Sequence, residues 1–133
     1  MNDIKKIFRS IGHALHGMRY AYTHDKSFRM EINYGLPMYL AIAWYLFPFE
    51  PWEIIVFTFS YLLILLVELV NTAVEKMIDR IHPAEHPLIG ASKDIASAAV
   101  LVAFMFGIVV VFVLIATRIP HGATGVLIQN TFV

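Results

Sequence analysis

The chain has 133 residues, 59% of them hydrophobic and only 15% charged, and its ten Lys and Arg are balanced by ten Asp and Glu. A soluble domain averages about 45–50% apolar and about 25% charged, and a chain this short has too much surface to hide such an excess. Composition and a mean hydropathy of +0.68 therefore argue against a soluble globular monomer and against disorder, and point to a bilayer as the solvent. Zero net charge gives no electrostatic footprint for nucleic acid. The absence of cysteine excludes a disulfide framework, a zinc ribbon and a thiol nucleophile.

The chain opens on an amphipathic pattern over about residues 4–24. Ile4, Ile7, Phe8, Ile11, Leu15, Met18 and Tyr22 share one face at helical spacing, and Lys5, Lys6, Arg9, His13 and His16 lie opposite. A basic polar face of this kind suits a helix lying in a membrane interface, although a surface helix packed on a bundle shows the same periodicity. The apolar residues are periodic rather than contiguous, which argues against a signal peptide.

Three apolar stretches follow that can cross a membrane, for which about 20 residues are needed. The spacing and the prolines Pro37 and Pro48 place the first span at about 31–47. The second runs over about 53–81, its apolar pattern interrupted by Glu68, and the third over about 94–117. The expected architecture is thus an all-α integral membrane domain over 1–118, one interfacial helix plus three spans, with a loosely structured tail over 119–133. Lys5, Lys6, Arg9, Arg19, Lys26 and Arg29 precede the first span, Lys76, Arg80 and Lys93 surround the second connection, and the connection around 47–53 has no Lys or Arg. The bias of basic residues puts the N-terminus and the second connection in the cytoplasm.

The second span carries the chemistry. Glu68, Asn71, Thr72, Glu75 and Asp79 occupy one arc of about 100° on a helical wheel. Carboxylates at membrane depth cost roughly 2.5–3.5 kcal/mol or more against lipid, so they face protein or water and mark function. Aligned carboxylates suit divalent-metal binding, and one of them can act as a general base. Helix–helix adhesion accounts for Asn71 and Thr72 but needs no second glutamate. At the start of the third span, Lys93 and Asp94 favour either an anionic partner such as a phosphate or an interfacial ion pair. The charged segment 25–31 reads, taken alone, as a membrane anchor. His82 and His86 stand four apart, but Pro83 and Pro87 argue for a shaped loop rather than a metal pair. No phosphate-binding glycine loop and no nucleophile elbow is present, so a nucleotide would be held by side chains.

The run Glu68-x-x-Asn71-Thr72-Ala73-x-Glu75-x-x-x-Asp79-Arg80, followed by Lys93-Asp94-x-x-Ser97-Ala98-Ala99-Val100, resembles the prokaryotic diacylglycerol kinase family, which also includes undecaprenol kinases. The resemblance runs from about Lys6 to Arg118 and takes in Gly12, Gly17, Arg19 and Phe28-Arg29-x-Glu31. It implies a small kinase of the bacterial cytoplasmic (inner) membrane, a homotrimer with shared active sites, that moves the γ-phosphate of ATP, with Mg²⁺, to a lipid hydroxyl. By position, Glu68 resembles the catalytic base, and Glu75 a metal ligand. Asp25 stands where the family usually has a second ligating Glu. Lys93 and Asp94 match nucleotide contacts, and Ala84, Glu85 and His86 the loop over the adenine end. Lys6 and His13 stand at nucleotide-site positions that more often carry Arg and Tyr. Arg19, Ser27, Arg29, Glu31 and Ser97 match residues on the lipid-headgroup side, and Asn71 a partner of the Glu68 carboxylate. Asp79-Arg80 and Ser97-Ala98-Ala99-Val100 favour diacylglycerol as acceptor, whereas Glu85 and His86-Pro87-Leu88 favour undecaprenol. From the residues alone, a membrane channel subunit lined by Glu68 and Glu75 is the competing class.

Overall fold

The computed structural model describes residues 3–81 and 86–119, and all of its regular structure is helical. Helix α1 spans Asp3–His24, α2 Lys26–Met30, α3 Leu36–Leu46, α4 Pro51–Ile81 and α5 Pro87–Arg118, with a π-helical segment, Glu31–Gly35, joining α2 to α3. Residues 82–85, which include Ala84 and Glu85, and the tail from 120 onward lie outside the described residues.

Among the described residues two helices, α4 and α5, are long and apolar enough to cross a membrane. They pack side by side as an antiparallel pair: Lys93 near the start of α5 meets Asp79 near the end of α4, and Arg118 at the end of α5 meets Glu53 at the start of α4. The small residues Ala103 and Gly107 let α5 approach the pair's core. The stretch expected to be the first span is one unbroken succession of α, π and α turns from Lys26 to Leu46, five residues longer at its start than the sequence pattern suggests. The reason is local. Asp25 is extended and caps α2, its Oδ1 accepting from the Phe28 N–H at 2.9 Å, which satisfies an otherwise unpaired donor of the first turn. Pro37 sits inside this succession, where its ring opposes an ordinary α-helical register. The wider π turn directly before it supplies the adjustment.

The start of α5 corrects the sequence expectation in the same way. The helix begins at Pro87, not near residue 94, because His86 caps it, with Nδ1 accepting from the Leu88 N–H at 3.2 Å. Pro87 then occupies the first turn, where its missing N–H costs nothing. Proline here starts a helix rather than breaking one, and Lys93 lies in the second turn, away from the helix terminus.

The core is built around Tyr39, whose ring stands 5.0 Å from that of Phe57 and 4.7 Å from that of Tyr61, together with Leu46, Ile64, Ala103, Val110 and Leu114. The buried Tyr39 and Ser60 hydroxyls are 3.3 Å apart, and Ser60 donates to the Phe57 carbonyl at 2.7 Å. Much of the remaining apolar surface faces outward. On α1, Ile4, Ile7, Phe8, Ile11 and Leu15 are all exposed, so this face does not pack on the chain's own helices. Trp44, Tyr45, Phe47 and Trp52 are exposed together where α3 gives way to α4. Amphipathic aromatic rings concentrate at membrane–water boundaries.

Candidate active site

The polar stripe of α4 descends from the surface into the interior. Asp79 is exposed, Glu75 half-buried, and Thr72, Asn71 and Glu68 buried, with Glu68 only 3% exposed. Seven residues separate Glu68 from Glu75, a rise of about 10 Å along the helix. Asn71, expected as a partner of Glu68, instead bonds Glu75: its Nδ2 donates to Glu75 Oε1 at 3.2 Å. A carboxylate only accepts, so the amide nitrogen must face it. That orientation leaves Asn71 Oδ1 buried with no hydrogen-bond partner among the described residues. Buried polar atoms are rarely left so.

A cavity of about 290 Å³ opens against this stripe. One wall is Glu68, Asn71 and Glu75 of α4. A second is Ser27 and Met30 of α2 with Glu31 of the π segment, and the third is Ser97, Val100 and Phe104 of α5. Helical periodicity explains why α5 supplies Ser97, Val100 and Phe104, which lie three and four apart and so share one face. The cavity is carboxylate-rich at its α4 wall and apolar toward Phe104.

The structure thus joins six of the residues singled out from sequence, Ser27, Glu31, Glu68, Asn71, Glu75 and Ser97, around one space. Asp25 lies beside it. The Thr72 hydroxyl stands 2.8 Å from Asp25 Oδ2 and 3.0 Å from the Glu68 carbonyl, and its single proton serves these two acceptors. Arg29 points elsewhere and donates to the Tyr22 and Thr23 carbonyls at 3.2 and 3.3 Å, bracing the end of α1. Lys93 pairs with Asp79 at 2.5 Å, and Asp94 is exposed. Lys6, His13 and Arg19 are exposed on α1 and do not line the cavity. Lys6 has Asp3 at 3.9 Å. His86 serves as the α5 cap.

Sequence reasoning missed the apolar wall of Met30, Val100 and Phe104, the Thr72–Asp25 contact, and a bond from the Tyr61 hydroxyl to the Glu31 carbonyl at 2.9 Å. None has a local signature, since each is made between segments far apart in the chain. It also missed the pairing of Glu53 with Arg118. The available signal was that each is the lone acid or base within its turn at the same end of the α4–α5 pair.

Apolar helices, two of them long and apolar enough to cross a membrane, thus enclose aligned carboxylates and hydroxyls around one cavity. Similarity to known proteins narrows this further. The family model for prokaryotic diacylglycerol kinase matches residues 12–115. A diacylglycerol kinase of Escherichia coli K12 is 32% identical over 107 residues, covering 78% of this chain and 84% of that protein. One from Haemophilus influenzae is 35% identical over 97 residues, covering 73% and 80%, and one from Helicobacter pylori 28% over 102 residues, covering 77% and 78%. The chain belongs to the prokaryotic diacylglycerol kinase family.

Membership of a kinase family implies the use of ATP. Among the described residues no three His, Cys, Asp or Glu side chains converge as a ready-made cage. Mg²⁺ does not require one, because it is usually held by one or two carboxylates with substrate phosphates and water. Glu75 and Asp25, held by Asn71 and Thr72 respectively, are hard oxygen donors of the type that such a role needs.

Proposed function

We propose that this chain is an ATP-dependent lipid kinase of the cytoplasmic membrane that phosphorylates the hydroxyl of diacylglycerol to give phosphatidic acid. Membership of the family makes it a kinase. The observation that supports the mechanism is the burial of Glu68 in a cavity shared with Glu31, Asn71, Glu75 and Ser97. Phosphoryl transfer is chiefly positioning and charge neutralisation. The hydroxyl oxygen attacks the γ-phosphorus, the bond from that phosphorus to the bridging oxygen of ADP breaks, and Glu68 takes the hydroxyl proton late in the step. Asn71 orients the Glu75 carboxylate, and Glu31, Ser27 and Ser97 receive the headgroup. Mg²⁺, bound with ATP by Glu75 and Asp25, would neutralise phosphate charge. Lys93, Asp94, Lys6, His13 and the loop residues Ala84, Glu85 and His86 would hold the nucleotide, and Arg19 and Arg29 would act on the lipid side, Arg29 through its brace on α1.

Depth supports this division of labour. The exposed Asp79 end of the stripe carries Lys76, Arg80 and Lys93 nearby, the distribution of a cytoplasmic boundary, so ATP meets Glu75 from water while lipid reaches Glu68 from the bilayer. The stretch from Lys26 to Leu46 then serves as the third span beside α4 and α5, and α1 lies in the interface. A homotrimer with shared sites would cover the apolar faces left open and complete the nucleotide side.

The test is phosphotransfer by the full chain in lipid micelles supplied with labelled ATP, Mg²⁺ and either diacylglycerol or undecaprenol. Label in phosphatidic acid is the expected result. Label mainly in undecaprenyl phosphate would overturn the choice of acceptor and show that Glu85 and His86-Pro87-Leu88 outweigh Asp79-Arg80. Label in neither lipid, with the protein folded, would overturn the kinase mechanism.

A further inference from the structure

The π segment sets a glycine against the side chain of Glu31, and a tyrosine hydroxyl against its backbone carbonyl. In an α-helix the Glu31 carbonyl would accept from the residue-35 N–H; here it accepts from the Leu36 N–H, the π register, and also from the Tyr61 hydroxyl at 2.9 Å. Tyr61 is itself buried in the core on α4. One turn along, Gly35 faces the Glu31 side chain: a Cβ added at Gly35 would stand 2.8 Å from Glu31 Oε2 and 3.7 Å from Tyr61 Cε2. Of the other described glycines, Gly12, Gly17 and Gly90 have open space there, and Gly107 faces the Tyr39 hydroxyl and Ile64. Among them, Gly35 alone makes room for a charged group of the cavity.

Glu31 also marks a boundary. It lines the carboxylate cavity with Glu68, and it lines a second, almost wholly apolar groove of about 320 Å³ that runs along α3 and α5 past Gly35, Met38, Ile42 and Gly107. An amphiphile with its chain in that groove brings its headgroup to Glu31 and its hydroxyl toward Glu68.

We infer that Gly35 and Tyr61 are positioning residues for the Glu31 carboxylate: the bare Cα of Gly35 leaves the space Oε2 occupies, and the Tyr61 hydroxyl holds the π turn that aims it at the headgroup of the lipid alcohol. The inference rests on the reading of the cavity as the acceptor site. It has a specific consequence. The atom that a Cβ at position 35 would strike is the tip of a flexible side chain, so the helix can keep its course while the carboxylate gives way. The substitution therefore disturbs the acceptor site and spares the fold.

The experiment compares the full chain with Gly35→Ala, Tyr61→Phe, Gly35→Ala/Glu31→Asp and Glu68→Gln, measuring kcat, KM for lipid, KM for ATP and Tm. Gly35→Ala is expected to raise KM for the lipid alcohol about tenfold, the size of one lost charged hydrogen bond, with KM for ATP and Tm close to those of the parent. Adding Glu31→Asp shortens the side chain by one methylene, removes the collision and recovers part of the lipid KM. Tyr61→Phe is expected to shift lipid KM in the same direction, and it stands in for Gly35→Ala if that variant does not fold. Unchanged lipid KM in both single variants, equal rises in both KM values, or failure of Glu31→Asp to rescue would overturn the inference. Glu68→Gln separates the two levels. If it is inactive while Gly35→Ala behaves as the parent, only the positioning role falls; if it is fully active, the acceptor-site reading falls and takes this inference with it.

Discussion

Arg118, at the last turn of α5, grips Glu53 in the first turn of α4 with two hydrogen bonds, 2.5 Å to Oε1 and 2.8 Å to Oε2. The same guanidinium donates to the Leu46 carbonyl at 3.3 and 3.2 Å and to the Pro48 carbonyl at 3.1 Å. Leu46 ends α3, and the last carbonyls of a helix have no partner within it. One side chain therefore ties the far ends of α3, α4 and α5 together, at the opposite end of the α4–α5 pair from Asp79 and Lys93.

Removing one partner of a buried pair leaves the other charge uncompensated, whereas replacing both with apolar or neutral groups is tolerated much better. Arg118→Ala is accordingly expected to lower Tm more than the double variant Glu53→Gln/Arg118→Met. Thermal unfolding in detergent checks this ordering; an Arg118→Ala variant as stable as the parent would show that the clamp contributes nothing.

Glu68→Gln keeps the shape of the side chain and removes its capacity to take a proton. General-base catalysis is worth roughly 10²–10⁴-fold, so kcat is expected to fall by at least about a hundredfold, with Tm unchanged or raised because a buried charge is gone. Steady-state phosphotransfer and unfolding on the same preparation check both halves.

Glu75→Gln is expected to raise the Mg²⁺ concentration needed for half-maximal rate while leaving KM for the lipid near its parent value. The Asn71 amide still finds a side-chain oxygen on the substituted glutamine, so the fold is spared. A metal titration at saturating ATP is the measurement, and an unchanged titration would remove Glu75 from the metal site.

Thr72→Val deletes the hydroxyl that approaches both Asp25 and the Glu68 carbonyl while preserving the branched shape. A lost hydrogen bond of this kind costs about 1–2 kcal/mol. The expected outcome is a modest fall in Tm together with a higher Mg²⁺ requirement, since Asp25 loses its tether to α4. A fall in Tm with an unaltered metal titration would make the contact purely structural.

Gly107→Ala tests the core. The added Cβ would lie 2.7 Å from the Tyr39 hydroxyl and 3.2 Å from Ile64 Cδ1. Tyr39 is packed against Phe57 and Tyr61 and yields far less easily than the Glu31 carboxylate does at Gly35. Overpacking of this kind costs about 1–3 kcal/mol, so Gly107→Ala is expected to lower Tm clearly where Gly35→Ala does not.

The helical class and the α4 wall of the cavity were legible along the chain. Hydropathy and helical spacing are properties of a single segment, so Glu68, Asn71 and Glu75 fall on one face whatever surrounds them. The amphipathic α1 was legible for the same reason. Helix starts were less so. Asp25 and His86 act as caps only when the backbone before the helix is extended, and that depends on where the preceding segment is held; Pro87 accordingly read as a breaker and proved to be a first-turn residue. The remainder was settled by packing. It set Ser27 and Glu31 opposite Glu68, gave Lys93 to Asp79 and Arg29 to the end of α1, pinned three helix ends with Arg118, and laid the Tyr61 hydroxyl on a π turn beside Gly35. Each of these is a meeting of groups separated along the chain, and no periodicity within one segment encodes which atom of another segment will lie within hydrogen-bonding reach of it.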